Sequence, residues 1–238
     1  MKILIDPGHG PGNANKGPTT YWEYKGMWQL SIHLQKFLQQ AGVTAHLTHN
    51  EDQDPSVDAR GAMAKGYDFF ISQHSNAYNG TVQGSECYYS VLQPQNKATA
   101  AKFSAQTAAL MGHTDRGAKT RAGDGGLDYY GVIRAAVKAG CPRVFLMESG
   151  FHDNRVDESF LLQDSNLQKL AQTQGQIILD TLGVTDKPTL PPGHTPSPWA
   201  KEAWEWAFTK GLTDGTNPQG IPTREQMVQL LYNFSRQP

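Results

Sequence analysis

Three apolar segments of the chain end close to a side chain that can bind a metal ion or carry a proton. His9 follows the apolar run at residues 3–5 through a turn rich in glycine and proline, and His74 ends the segment "FFISQH". Glu148 ends the segment "RVFLME". A fourth candidate, Glu23, lies where the loop that leaves the His9 turn enters a predicted helix.

These residue types favour one kind of chemistry. Two imidazoles and one carboxylate form the ligand set of a catalytic zinc ion that keeps its fourth coordination position open for water. Such an ion lowers the pKa of the water to about 7 and polarises a carbonyl group. A second carboxylate outside the ligand set is then needed to accept the proton of the water. The four residues therefore predict a zinc hydrolase if the fold brings them together.

Each candidate also has an ordinary structural explanation. His9 can cap a turn, and His74 can be a hydrogen-bonded histidine at the end of a strand. Glu23 can be a carboxylate that is stabilised by the N-terminus of a helix. Glu148 is harder to explain in this way, because a carboxylate buried at the end of an apolar strand is unfavourable without a partner. The residue types and their spacing leave both explanations open.

The elements that must position these residues follow an alternating pattern. Short apolar runs alternate with amphipathic stretches, which is typical of an α/β sheet covered by helices. Strands are predicted at residues 2–5, 43–48, 67–77, 85–92 and 143–150, and helices at residues 25–41, 56–65, 96–111, 131–139 and 165–182. The glycine-rich stretch 113–131 is predicted to be a mobile loop over a cleft. Ligands of open α/β sheets bind beyond the carboxyl ends of the strands, where His9, His74 and Glu148 are expected to meet.

The composition of the chain changes near residue 185. Residues 185–198 contain five prolines, which is typical of an extended and semi-rigid linker. Residues 199–238 are predicted to form two helices around a turn. We therefore predict a catalytic domain at residues 1–184, a linker at residues 185–198 and a small α-helical module at residues 199–238.

The overall composition excludes several functions. The formal net charge is −1, so no basic field favours binding to nucleic acid or to anionic lipid. No apolar segment is long enough for a signal peptide or for insertion into a membrane, and we expect synthesis in the cytoplasm without a signal peptide. The two cysteines, Cys87 and Cys141, are too few for a disulfide scaffold and are predicted to be buried free thiols.

Four motifs together carry a resemblance to a known family. The segments "ILIDPGHG" (3–10), a glutamate that opens a helix, "FFISQHSNA" (69–77) and "VFLMESGFHDN" (144–154) stand in this order. In these motifs the chain resembles the zinc-dependent N-acetylmuramoyl-L-alanine amidases of the type 3 family, over about residues 1–183. These enzymes occur among bacterial cell-wall hydrolases and phage endolysins. The resemblance implies a twisted, mostly parallel sheet flanked by helices, with peptidoglycan as the substrate.

The resemblance also implies roles for individual residues. His9, Glu23 and His74 would bind one zinc ion, and Glu148 would be the catalytic glutamate. A zinc-activated water would then cleave the amide bond between N-acetylmuramic acid and the L-alanine of the stem peptide. Further candidates, either for substrate contacts or for contacts that support the ligand residues, are Asn76, Arg60, Arg121 and Arg134, and His152 is a candidate for contact with substrate or product. Each of the five is more simply explained as a surface residue. Two alternatives remain at this stage: a zinc peptidase that cuts wall peptides, and a non-catalytic wall-binding protein.

The C-terminal module resembles part of an S-layer homology repeat. Its aromatic-rich first helix, the segment "GLTDGTNP" (211–218) and the segment "TREQ" (223–226) carry this resemblance. The resemblance implies binding to a secondary cell-wall polymer. A single small repeat cannot bury Trp199, Trp204 and Trp206 by itself, so we expect wall binding by these residues, association into a homo-oligomer, or docking on the catalytic domain. The expected context is a phage or prophage endolysin that acts on the cell wall during lysis.

Overall fold

The computed structural model describes residues 1–184, 196–197, 200–209 and 213. In this part of the chain the strands and helices are, in order, β1 (Lys2–Asp6), α1 (Glu23–Gln40), β2 (Thr44–Leu47), α2 (Val57–Ala62), β3 (Phe69–Asn76), β4 (Ser85–Tyr89), α3 (Lys97–Met111), β5 (Asp115–Lys119), α4 (Gly131–Lys138), β6 (Val144–Phe151), α5 (Arg155–Leu161), α6 (Asp164–Thr181) and α7 (Lys201–Thr209). The chain divides into two compact units, one of residues 1–39 and 43–185 and one of residues 40–42 and 186–238. The first unit contains the sheet.

The six strands form one sheet in the order β2-β1-β3-β6-β4-β5. Four of the five neighbouring pairs are parallel, and β4 runs antiparallel to β6. Parallel strands need long crossover connections, and these connections are the helices that cover the sheet. The predicted fold class, a mostly parallel α/β sheet flanked by helices, is confirmed.

The two faces of the sheet have different partners because side chains alternate along a strand. One face packs on α2 and α4, and its core consists of Leu4, Ala64, Phe70, Val132, Ile133, Ala136, Cys141, Val144 and Leu146. The other face contains Phe69 and Phe145, whose rings stack at 4.9 Å, with Phe103 of α3 beside them. His74 and Glu148 continue the even-numbered series of the first face, so both project on the side of α2 and α4.

Helices α2 and α4 cross at Gly61. A Cβ atom at this position would lie 2.5 Å from Cβ of Ala135 and 2.6 Å from the carbonyl oxygen of Val132. Only glycine therefore permits this approach of the two helices. The contact fixes the position of the neighbouring Arg60, whose side chain reaches the end of β1.

Two predictions from the sequence need correction. The stretch 113–131 is not only a loop, because residues 115–119 form β5 at the edge of the sheet. The sequence of this strand is polar and contains Gly117, so it lacks the alternation of apolar residues that predicts a strand. An edge strand can form without that alternation. Helix α5 was not predicted; the side chain of Asn154 caps its N-terminus by accepting a hydrogen bond from the backbone of Val156.

Other predictions are confirmed or remain open. Cys87 and Cys141 are buried free thiols, as predicted. Among the described residues, no helix combines the length and the apolar character that a membrane crossing requires. Helix α7 matches the first predicted helix of the C-terminal module. The second predicted helix and Trp199 lie outside the described residues, and the domain boundaries stay predictions.

The crossing at Gly61 generates a stability prediction. The change Gly61→Val places two methyl groups against α4, so we expect the free energy of unfolding to fall by roughly 1–3 kcal/mol. Denaturant unfolding followed by circular dichroism measures this difference. The matched control is Ala62→Val, which adds two methyl groups at an exposed position of the same helix. Equal stability of the two variants would contradict the close approach of α2 and α4.

Candidate active site

The structure brings the four predicted residues into one cavity. Strands β1, β3 and β6 are parallel neighbours, so their carboxyl ends meet at one edge of the sheet, and His74 lies in register with Glu148. His9 follows the end of β1, and Glu23 is the first residue of α1. All four side chains line a cavity of about 620 Å³.

The ligand atoms of His9, Glu23 and His74 lie within 4.8 Å of one another. Nε2 of His9 is 3.4 Å from Oε2 of Glu23, and Nδ1 of His74 is 3.2 Å from Oε1 of Glu23. Tetrahedral coordination with bonds of 2.0–2.2 Å separates neighbouring ligand atoms by roughly 3.3–3.5 Å. The spacing of the three side chains therefore suits a divalent metal ion.

A chain of hydrogen bonds sets the tautomer of His74. The hydroxyl of Ser72 donates its hydrogen to Oδ2 of Asp6 at 2.6 Å. Nε2 of His74 lies 3.0 Å from the same hydroxyl oxygen and must donate to it. Nδ1 then carries a lone pair that faces a carboxylate oxygen of Glu23. Two electron pairs at this distance repel each other unless a cation lies between them, which is the condition that a metal site fulfils.

The electrostatics of the buried pair also suit metal binding. Burial lowers the pKa of His74, which keeps its imidazole neutral and available as a ligand. Burial alone would raise the pKa of Glu23, but positive charge on the side of His74 and His9, carried by a proton or by a bound cation, outweighs burial and holds the pKa well below its usual range. Glu23 also accepts hydrogen bonds from the amide group of Asn15 and the backbone of Ser75. The carboxylate is therefore ionised and fixed.

A buried ion pair between Arg60 and Asp6 supports the turn that carries His9. Nη1 of Arg60 donates to both carboxylate oxygens of Asp6, at 3.0 and 2.8 Å, and to the backbone carbonyl of Gly8. Gly8 has a φ of +82°, and a Cβ atom there would lie 2.3 Å from the carbonyl oxygen of Gln73. Arg60 was predicted either to contact the substrate or to support the ligand residues. Its observed contacts support the turn that carries His9, and a substrate contact stays a prediction.

Glu148 has no polar partner for one of its oxygens. The side chain is buried, and Oε2 forms no hydrogen bond. Burial raises the pKa of Glu148 well above its usual range, and the charges of Glu23 and Glu86 add to this effect. A carboxyl group with these properties can exchange a proton inside the cavity.

The remaining predicted residues fall into two groups. Asn76 and His152 line the same cavity. The alternative that His152 is a surface residue is wrong, because its ring is buried and Nδ1 lies 2.8 Å from the carbonyl oxygen of Ser75. Arg121 stacks on the ring of Tyr129 at 3.5 Å, and Arg134 donates to the carbonyl of Asp128 at 2.8 Å. These two arginines are not among the residues that line the cavity, and their roles toward a substrate stay predictions.

Several supporting residues were missed at the sequence level. Asp6 and Ser72 are polar residues in otherwise apolar strands, and they follow the core residues Leu4 and Phe70 at a spacing of two. A polar residue at such a buried position could have been recognised from the sequence. Glu86 alternates with Tyr88 in β4, which indicates a shared face. Its position opposite Glu148 depends on the antiparallel pairing of β4 and β6, and no sequence signal gave that pairing.

Comparison with known proteins gives one matching family. The family model described as N-acetylmuramoyl-L-alanine amidase matches residues 3–180. A sporulation-specific N-acetylmuramoyl-L-alanine amidase of Bacillus subtilis is 30% identical over 176 residues, which are 72% of this chain and 64% of that protein. A cell wall amidase of Bacillus anthracis is 27% identical over 195 residues, which are 75% of this chain and 35% of that protein. The chain thus spans about a third to two thirds of the length of these relatives.

Solved structures give the same result. Cwp6 from Clostridium difficile superimposes with a TM-score of 0.70 at 27% identity, covering 76% of this chain and 29% of that chain. The catalytic domain of CwlV, an N-acetylmuramoyl-L-alanine amidase from Bacillus (Paenibacillus) polymyxa, superimposes with a TM-score of 0.67 at 25% identity. That comparison covers 78% of this chain and 99% of the CwlV domain. The first compact unit is therefore equivalent to a whole catalytic domain of this kind.

The hydrogen bond from His74 to Ser72 generates a prediction about metal affinity. The change Ser72→Ala leaves Nε2 of His74 without its acceptor, so the ring is no longer held with Nδ1 toward Glu23. We expect the affinity for a divalent metal to fall about 10- to 100-fold. Competition with a chromophoric chelator measures the affinity directly.

The control for Ser72 is a second buried serine. The hydroxyl of Ser31 in α1 has no hydrogen-bond partner, so Ser31→Ala removes the same atom and should leave metal affinity unchanged. Unchanged affinity in Ser72→Ala would show that Ser72 does not orient His74.

Proposed function

Because the chain belongs to the N-acetylmuramoyl-L-alanine amidase family, whose model matches residues 3–180, we propose that it hydrolyses the amide bond between N-acetylmuramic acid and L-alanine in peptidoglycan. One observation carries this proposal. His9, Glu23 and His74 converge on one point, in the cavity that also contains the buried carboxyl of Glu148. This arrangement supplies a metal site and a proton carrier side by side.

Zinc is the metal that the donor set favours. Two imidazoles with one carboxylate suit zinc, whereas calcium and magnesium prefer sites made of oxygen atoms. The lone pair of His74 that faces Glu23 fits the same assignment. When bound, zinc supplies a Lewis acid that polarises the scissile carbonyl and makes water acidic near neutral pH.

The side chains of the cavity transfer the proton and position the reacting groups. In its ionised form, which a cation at the neighbouring ligands would favour, Glu148 accepts the proton of the attacking water on its unpartnered Oε2 and passes it to the nitrogen of the leaving alanine. His74 stays neutral because it is buried, and it is oriented by Ser72. Asn76 and His152 form the wall of the cavity around the scissile bond. Since Glu148 is buried in this wall, bulk water does not compete for its proton.

The family membership favours the amidase over the two alternatives considered from the sequence. A zinc peptidase would release an amine elsewhere in the stem peptide, and a wall-binding protein without catalysis would release none. End-group analysis of digested walls separates these outcomes, because the amidase exposes the amine of L-alanine.

Two substitutions separate metal binding from proton transfer. Glu148→Ala should keep stoichiometric zinc and lower the rate of amine release from purified walls by at least about 100-fold. His9→Ala should lose both zinc and activity, since a ligand is missing. Metal analysis and a wall-digestion assay on the same samples measure both properties. Glu51→Ala, a change at an exposed glutamate, is the control. Wild-type activity in Glu148→Ala would exclude its catalytic role.

The C-terminal segment supports a further part of the proposal. Trp206 of α7 is 48% exposed, and Trp204 of the same helix is partly buried. We propose that this segment holds the enzyme on the cell wall through a secondary polymer, with association into a homo-oligomer as a second role. A catalytic unit joined to such a segment suits a phage or prophage endolysin that is made in the cytoplasm and acts on the wall during lysis.

The role of the C-terminal segment is testable in the full chain. The change Trp206→Ala should lower retention on purified walls by about 3- to 10-fold, because an exposed aromatic side chain is a typical anchor. Co-sedimentation with walls measures retention, and analytical ultracentrifugation measures self-association. The control is Tyr78→Ala in the catalytic unit, where the side chain is 76% exposed. Equal retention and equal mass in wild type and Trp206→Ala would exclude both roles for Trp206.

A further inference from the structure

A second buried carboxylate lies beside the catalytic one. Glu86 of β4 is paired with Glu148 of β6 across the antiparallel ladder, so both side chains project on the same face. Glu86 is buried, yet it remains ionised: burial alone would raise its pKa, but hydrogen bonds from Lys119, Arg116 and Tyr88 outweigh burial and lower the pKa.

Four donors converge on the carboxylate of Glu86. Nε of Arg116 and Nζ of Lys119 both donate to Oε2, at 2.6 and 2.5 Å. The hydroxyl of Tyr88 and the amide of Asn76 both donate to Oε1, at 2.9 and 3.2 Å. Two cations thus share one carboxylate oxygen, and the cluster keeps a net charge of about +1. Asn76 belongs to the wall of the active-site cavity, so the cluster borders that cavity.

Asp115 is the acidic residue of β5, the strand that carries Arg116 and Lys119. Its carboxylate contacts neither cation and so does not neutralise the excess positive charge. Oδ1 of Asp115 accepts hydrogen bonds from the hydroxyl of Ser104 and from the backbone of Gly117, at 2.9 Å for the latter. The side chains of Arg116 and Lys119 are each 32% exposed, so part of each side chain is open to solvent, whereas the carboxylate of Glu86 is buried. The two cations therefore have binding capacity that Glu86 does not use.

Arg116 is held in place by contacts beyond Glu86. Its guanidinium carbon lies 5.0 Å from the centre of the Phe151 ring. Its aliphatic stem packs so closely on Gly84 that a Cβ atom there would lie 2.7 Å from two of its carbon atoms. A cation that is already fixed in one position loses little conformational freedom on binding a ligand.

The distance between Glu148 and the two cations of β5 matches the reach of the stem peptide. Neighbouring strands are about 4.8 Å apart, so β5 lies ~10 Å from β6 across β4. One residue of extended peptide spans at most about 3.6 Å. A ligand whose scissile amide lies at Glu148 therefore reaches the cations with the second or third residue of its peptide.

We propose that Arg116 and Lys119 form an anion subsite that binds a carboxylate of the stem peptide beyond the L-alanine. This inference rests on the proposed amidase function. The sugar part of the substrate is a poor alternative, because its lactyl carboxyl is consumed in the scissile amide and its other groups are neutral hydroxyls and acetamides. The peptide is the part that offers carboxylates, and planar guanidinium and ammonium donors match them.

The test uses two model ligands that differ in one group. Both are N-acetylmuramoyl-L-alanine extended by a second residue; one carries a free carboxylate there, and the other carries the amide of that carboxylate. For zinc-loaded Lys119→Met, we expect KM for the carboxylate ligand to rise about 3- to 10-fold with kcat unchanged, and KM for the amide ligand to stay constant. Arg116 still balances Glu86 in this variant, so the fold is retained.

Two further variants complete the test. Lys119→Arg keeps the charge and should restore the preference for the carboxylate ligand. Lys102→Met removes an exposed lysine of α3 and should change neither KM. An equal rise of KM for both ligands, or no rise for either, would overturn the subsite. So would a loss of wall retention by Lys119→Met with an unchanged preference, which would indicate a polyanionic wall polymer as the ligand.

A failure of the proposed function gives a different result. If the wild-type protein hydrolyses neither ligand, calorimetric binding of both ligands to the wild-type and Lys119→Met proteins decides about the subsite alone. Preferential binding of the carboxylate ligand that is lost in Lys119→Met supports the subsite, and equal binding of both ligands by the wild-type protein excludes it.

Discussion

The approach of the buried Glu23 carboxylate to the electron pair of His74 is the interaction on which the site depends. Removing a carboxylate from water is unfavourable unless hydrogen bonds and positive charge replace the lost hydration. Asn15 and the backbone of Ser75 supply the hydrogen bonds. A cation bound between Glu23, His74 and His9 would supply the positive charge, since Ser72 and Asp6 keep the proton of His74 on its other nitrogen. The candidate metal site is thus built into the hydrogen-bond pattern of the sheet.

The sheet extends this arrangement beyond the three candidate ligands. Because β4 runs antiparallel to β6, the beginning of β4 lies at the same edge as the ends of β1, β3 and β6. His74, Glu148 and Glu86 are therefore neighbours across three adjacent strands, and the cations of β5 follow beside Glu86. A wholly parallel sheet would bring the end of β4 to this edge in place of Glu86. The direction of one strand decides which charges border the catalytic cavity.

The sequence predicted the local features of the fold and the four central residues, but not the contacts between distant segments. Long apolar runs such as those of β3 and β6 indicate buried strands directly, and the histidine and glutamate at their ends indicate the site. The sequence of the edge strand β5 predicts a loop, because it is polar and contains Gly117. The sequence left open whether Arg60 lies on the surface, contacts substrate or supports the ligands, since its buried partner, Asp6, lies 54 positions away in the chain. Pairings of this kind depend on register and helix crossing, which periodicity does not encode.

The polar character of β5 has a consequence for solubility. Among the described strands, β5 lies at one end of the sheet order, where backbone groups are free to pair with another chain. Charged side chains on an outer strand discourage such pairing, because two copies would bring like charges together. Arg116 and Lys119 place two cations on this strand, and its register with β4 shifts between Asp115 and Gly117. Exchanging both cations for apolar residues would therefore leave the outer strand open to aggregation between copies of the protein.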